Sequence, residues 1–165
     1  MDQLPCTLDW VVSLRVAALV QAQPHECYQS AWLALIRLPW LSEGWLVEGW
    51  AVDEYDHCIA VFEHGWLEVE RAGKRCVIDP SILFLPRLAT PAFFAGVRYT
   101  RSEAVAMQGQ IMPHVRFDQA SAPDGFGHRG YAQAFCDALS HAEARVRLTT
   151  KRLRVDRAQH ESETV

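Results

Sequence analysis

Apolar residues recur at three- and four-residue spacing near the start of the chain, through Leu8, Val11, Val12, Leu14, Ala18 and Leu19, and Pro24 closes the run. This spacing predicts one amphipathic helix over Leu8 to Val20. A second run from Cys27 to Leu38 sets Ala31, Leu35 and Leu38 on one stripe with Trp32 and Ile36 beside it, and stops at Pro39. It predicts a helix buried on most sides. The texture then changes: WLVEGWAV (45–52), CIAVFEHGWLEVE (58–70) and RCVIDP (75–80) are rich in β-branched and aromatic residues and partly alternate, the mark of strands. RAGK (71–74) makes a hairpin of the last two. AGVRYTR (95–101) reads as a fourth strand, SEAVAMQG (102–109) as a short helix opened by Ser102, PDGFGHRG (123–130) as a loop, and YAQAFCDALSHAEARV (131–146) as a final helix. The expected class is α+β, with N-terminal helices packed on an antiparallel sheet. One domain over 1–147 is followed by a polar, Arg-rich tail over 148–165, expected to be solvated or frayed.

Composition narrows the functional classes. With 165 residues and an apolar share of 50%, the chain can bury one real core. A net charge of -4, with both signs interspersed, gives no broad basic surface for phosphates, so nucleic acid is not an expected partner. WVVSLRVAALV (10–20) follows acidic rather than basic residues and is broken by Arg15, so it is not read as a targeting segment. No apolar run approaches the roughly 18 to 20 residues that cross a bilayer, and no membrane association is expected. The five cysteines (Cys6, Cys27, Cys58, Cys76, Cys136) are odd in number and lack a C-x-x-C, which fits a reducing, cytoplasmic setting rather than a disulfide framework or a zinc ribbon.

Three short stretches carry candidate chemistry: ECYQSAW with Cys27 at the first turn of the second helix, FEHGWLEV with His64, and CVIDPS with Asp79. Taken singly, each has a plain structural reading, as a small core thiol, a satisfied histidine and a turn-forming aspartate. Their order and their elements change that. A nucleophile-bearing helix followed by strands with His and then Asp resembles the transglutaminase-like and papain-like cysteine hydrolases. The likeness spans roughly residues 21 to 81, and WLVEGWAV and FFAGVRY (93–99) also look similar to small bacterial proteins of this superfamily. It implies an amide-directed hydrolase or acyltransferase, as peptidase, amidase, deamidase or transglutaminase, with no cofactor and no metal, acting on a peptide, protein or small amide. Gln21, six residues before Cys27, matches the offset of the papain-like oxyanion glutamine, and Gln23 is an equal candidate from sequence. Gly65 departs from the pattern, where a small aliphatic residue is commoner, and is expected to loosen the strand.

Register offers a test independent of the family. With Ala72 and Gly73 at the hairpin tip, Arg71 faces Lys74, Trp66 faces Asp79 and His64 faces Ser81. His64 and Asp79 are then diagonal neighbours on one face, about 7 Å apart at the backbone. A one-residue slip would separate them. In such an arrangement Cys27 attacks a carbonyl carbon, His64 protonates the leaving amine, Asp79 orients the ring, and the Cys27 N–H faces the oxyanion.

Other residues compete or assist. His25 and His57 are alternative bases, and a metal site from His57, Cys58, Cys27 and His64 lacks any familiar ligand spacing. Glu48, a charge in an apolar strand, either faces solvent on an edge or borders the cleft. Most of the six tryptophans are expected in the core, with Trp66 shielding the His64 ring. Cys58, Cys76 and Cys136 are expected to be core residues. A catalytically silent binding module of the same fold stands as the alternative to the enzyme.

Overall fold

The computed structural model describes residues 7–55, 58–84, 91–106 and 129–163. In chain order the elements are β1 (Thr7–Leu8), α1 (Trp10–Val20), α2 (Cys27–Arg37), a 3-10 turn (Pro39–Leu41), β2 (Trp45–Tyr55), β3 (Cys58–Arg71), β4 (Lys74–Ile78), a second 3-10 turn (Ile82–Phe84), β5 (Ala92–Tyr99), α3 (Arg101–Ala106) and α4 (Arg129–Glu163). The class is α+β. Among the described residues the strands form one sheet in the order β1-β4-β3-β2-β5. Neighbours from β4 to β5 are antiparallel, but β1 runs parallel to β4 through Thr7↔Cys76 and Leu8↔Val77, so the sheet is mixed rather than antiparallel. Two residues carry no periodicity, which is why hydropathy reads β1 as the start of the first helix.

The β3–β4 hairpin has the expected register. Ala72 (φ 50°) and Gly73 (φ 71°) form the tip, and pairing runs from Arg71↔Lys74 to Leu67↔Ile78. Positive φ at both central residues gives the turn whose twist matches the strands. Past Leu67, β3 loses β4 but stays paired to β2 as far as Tyr55↔Cys58.

The sheet is buried on both faces. On one, Leu46, Leu67, Val69, Ile78 and Tyr99 pack against Val16 and Val20 of α1 and Ala31, Ala34 and Leu35 of α2. Farther along the same face, Trp50 and Val52 meet Tyr131, Ala134 and Ala138 of α4. On the other, Val47, Trp66 and Val77 pack with Leu8 and Ile82.

Several expectations need correction. The buried stripe of α1 is Ser13, Val16, Ala17 and Val20, whereas Val11 is 78% and Leu19 54% exposed. This helix is apolar nearly all round, so hydropathy does not fix its rotation. Contacts at Asp9 and Ser13 do: the Val12 N–H donates to the Asp9 carboxylate at 3.0 Å, and the Ser13 hydroxyl donates to the Asp9 carbonyl at 2.6 Å. Helix α3 opens at Thr100 rather than Ser102. There the Thr100 N–H donates to the Glu103 carboxylate at 2.7 Å and the Glu103 N–H returns to the Thr100 hydroxyl at 3.4 Å, a reciprocal cap. Helix α4 continues to Glu163 through the segment expected to be a frayed tail, in keeping with its content of strong helix formers. Cys58 and Cys136 are exposed rather than core, since Cys58 begins its strand and Cys136 lies on the solvent side of α4. Trp40 is 45% exposed, whereas Trp50 and Trp66 are buried. The loop expected over 123–130 lies outside the described residues up to position 128, as do Met107, Gln108 and Gly109 of the short helix, Cys6 and His57. No helix among the described residues is long and apolar enough to cross a membrane.

Gly65 does the opposite of loosening the strand. A Cβ there would stand 2.5 Å from Cδ1 and 3.0 Å from the Cα of Tyr28, so the missing side chain is the space that lets α2 sit on β3. Gly65→Ala is therefore expected to lower stability by about 1–3 kcal/mol through overpacking, measured as a fall in the urea midpoint. The exposed Cys58→Ala should change it by less than about 0.5 kcal/mol. An unchanged midpoint in Gly65→Ala would show that Tyr28 does not seat on this strand.

Candidate functional site

His64 stands where β3 has lost its β4 neighbour, and it is only 3% exposed. Side chains alternate along a strand, so His64 shares the face of Phe62 and Trp66. The Trp66 ring stacks at 6.2 Å and an interplanar angle of 20°, Phe62 meets the imidazole edge-on at 5.6 Å, and Phe93 of β5 lies at 6.2 Å. The shielding expected of Trp66 is present, with Phe62 and Phe93 added to it.

Asp79 follows the last paired residue of β4 and is fully buried. Its Oδ2 lies 2.9 Å from His64 Nε2. Its Oδ1 accepts from the Ser81 N–H at 2.9 Å and from the Ser81 hydroxyl at 2.7 Å. The Ser81 Oγ is also 3.3 Å from His64 Nε2. The Asp79 N–H donates to the Ser13 hydroxyl of α1 at 3.0 Å, which in turn is held by the Asp9 carbonyl. Both carboxylate oxygens thus have donors, as a buried charge requires.

Cys27 is the first residue of α2 and is half-buried. Its chain neighbour Tyr28 packs onto Gly65, which directly follows His64 in β3. The Cys27 sulfur acts electrostatically on the imidazole and adds to the effect of Asp79 on it. With Nε2 given to Asp79, Nδ1 is the ring nitrogen left for the thiol.

Burial of the ring works against its charge, but the Asp79 carboxylate beside it and the Cys27 sulfur outweigh burial and push the imidazole up from 6.5 to about 10. The ring is cationic at neutral pH.

Three of the four expected residues, Cys27, His64 and Asp79, are therefore brought together. Gln21 caps α1 in a left-handed conformation (φ 55°) and is exposed, and its side chain bonds to none of the other three. Gln23 donates its amide to the Gln21 carbonyl at 3.1 Å. His25, the other described candidate base, is exposed, with φ of 64° two residues before the cysteine. Left-handed backbone is uncommon in residues other than glycine, and here two such residues shape the approach to Cys27. Glu48 is neither on an edge nor in solvent. It is 5% exposed on β2, an interior strand flanked by β3 and β5, on the face opposite His64, and accepts from the Tyr99 hydroxyl at 3.3 Å. Among the described residues no group of three or more His, Cys, Asp and Glu is placed to hold a metal ion.

Sequence reasoning missed Ser13 and Ser81 as supports of Asp79. For Ser81 a signal existed, because the hairpin register already sets it opposite His64. For Ser13 the signal was a polar residue at the head of a Val16, Ala17, Val20 stripe. Comparison with protein-family models, with curated proteins and with solved structures gives no match.

Cys58 and Cys136 are the more accessible thiols, so accessibility and activation make opposite forecasts. Limiting iodoacetamide at pH 6 to 7 with peptide mapping is expected to label Cys27 before either, and His64→Ala is expected to abolish that preference. Labelling ordered by exposure alone would refute activation at Cys27.

A raised imidazole pKa also fixes a sign. The stabilisation from the charged ring is complete below about 6.5, the unfolded value, and is lost as pH rises through about 10. Thermal melts across that window should show wild type losing stability that His64→Gln does not lose.

Proposed function

We propose that the protein is a cysteine-dependent hydrolase or acyltransferase that acts on an amide through a thioester, with a transglutaminase-like or papain-like core. The observation that carries this reading is the buried His64–Asp79 pair at 2.9 Å, with Cys27 at the start of a helix and its sulfur acting on the imidazole. A core thiol needs no such partner.

In this mechanism the Cys27 sulfur, as a thiolate paired with the imidazolium, attacks the amide carbonyl carbon. The new C–S bond pushes the carbonyl electrons onto oxygen. Collapse re-forms the carbonyl and breaks the C–N bond, and the His64 proton passes to the leaving amine. Neutral His64 then takes a proton from the water or amine that attacks the thioester, and the thiolate leaves. Asp79, held by Ser81 and Ser13, keeps the ring in the tautomer and orientation both steps need.

The oxyanion needs donors. Glu26 makes no side-chain capping bond at the start of α2, so no cap side chain takes up the N–H groups of the first turn, that of Cys27 among them. Gln23 donates to the Gln21 carbonyl, and Gln21 and Gln23 both stand as candidates for the side-chain donor. The substrate class of this reading is a small amide or an exposed peptide segment of a protein.

Gln21→Ala is expected to lower turnover of small amide and ester substrates by about 10- to 1,000-fold, with the melting temperature and the rate of Cys27 alkylation nearly unchanged. Cys27→Ala should abolish turnover. Activity that survives Cys27→Ala rejects the thioester. Loss with Gln23→Ala but not Gln21→Ala would move the donor and keep the mechanism.

A further inference from the structure

The chain neighbours of the two reacting residues, Tyr28 after Cys27 and Glu63 before His64, meet on the opposite face of the sheet. Two notches admit them and their partner. Tyr28, in the first turn of α2, fills the space over Gly65. Tyr131, in the first turn of α4, fills the space over Gly96, where a Cβ would stand 2.5 Å from its Cδ2 and 3.0 Å from its Cα. The Tyr131 hydroxyl donates to the Glu63 carboxylate. The Tyr28 hydroxyl is buried in the same cluster, near both groups without a well-formed hydrogen bond to either. Glu48 of β2 acts on both Glu63 and Tyr131 and is itself bonded by Tyr99 of β5. The Trp50 ring closes the side of the cluster, 5.6 Å from the Tyr131 ring and 4.5 Å from Phe135.

We propose that Glu63 and Tyr131 are positioning residues for Cys27: their bond, with Tyr28 wedged beside it, seats the first turn of α2 and makes the alignment of the thiol with His64 depend on the docking of α4. The proposal rests on the cysteine-hydrolase reading. Its physical basis is the shortness of the connections, since Tyr28 directly follows Cys27 and Glu63 directly precedes His64. A shift of Tyr28 over Gly65 must move Cys27 relative to His64, because the notch leaves no slack.

The latch also has a pH dependence. Burial raises Glu63, the Tyr131 bond lowers it, Glu48 raises it and Tyr28 lowers it, with a net position of about 7. Ionisation sets a second carboxylate against Glu48 in a partly desolvated site, which opposes close seating of the two tyrosines.

The test is the rate of Cys27 alkylation by iodoacetamide in the full chain from pH 5 to 9, for wild type, Glu63→Gln, Tyr131→Phe and His64→Ala. Wild type is expected to step down in rate through about pH 7. Glu63→Gln, which keeps a neutral acceptor of the same size, should keep the low-pH rate and lose the step. Tyr131→Phe should react about 2- to 30-fold more slowly at pH 6. A merely structural role would move the melting temperatures and leave the shape of the pH profile alone. A step retained in Glu63→Gln, or Tyr131→Phe reacting at the wild-type rate, overturns the latch. If Tyr131→Phe melts below the assay temperature, Glu63→Gln decides alone. When His64→Ala also leaves alkylation unchanged, the hydrolase reading fails; when His64→Ala responds and the latch variants do not, only the latch fails.

Discussion

An imidazole buried beside a carboxylate is the constraint around which this structure is organised. A charge inside a protein is tolerated only with a partner at close range and with the remaining lone pairs satisfied. His64 and Asp79 meet that requirement at 2.9 Å, and each further contact extends it. Ser81 supplies two donors to the free carboxylate oxygen, and Ser13 takes the Asp79 backbone N–H, so the first helix is tied to a residue 66 positions away. Asp9, which caps that helix, also accepts from Ser13 through its carbonyl. The rotation of α1 follows from this chain of bonds, and its buried stripe begins with a serine for that reason.

Strand β3 carries different work on its two faces. On one, Phe62 and Trp66, joined by Phe93 of β5, form an aromatic wall around the His64 imidazole, which strengthens the Asp79 interaction. On the other, Glu63 and Gly65 receive tyrosines from two helices. The absence of a side chain at Gly65 costs the strand packing of its own, and Tyr28 restores it from α2. One glycine therefore joins the helix that carries the cysteine to the strand that carries the histidine.

What the chain decides locally was legible from its residues alone. Pro24 and Pro39 bracket the second helix, and a strand repeats every two residues. A hairpin pairs residues one for one outward from its tip, so the approach of His64 to Asp79 and the place of Ser81 follow from counting back from Ala72 and Gly73. The order of Cys27, His64 and Asp79 along helix and strands was visible in the same way.

Tertiary structure decided what depends on partners distant in sequence. The face α1 buries was not legible, because apolar residues surround that helix and only Asp9 and Ser13 choose among them. Strand β1 was hidden because two residues have no period, and its pairing with β4 is set by the path of the chain. Glu48 reads as an exposed charge until β5 pairs beside β2 and Tyr99 covers it. Gly65 reads as a weakness in a strand until Tyr28 occupies its notch. Local rules of period, cap and turn act over a few residues and leave their mark in the string of letters. Burial, charge partnership and close approach belong to pairs of residues that only the fold brings together.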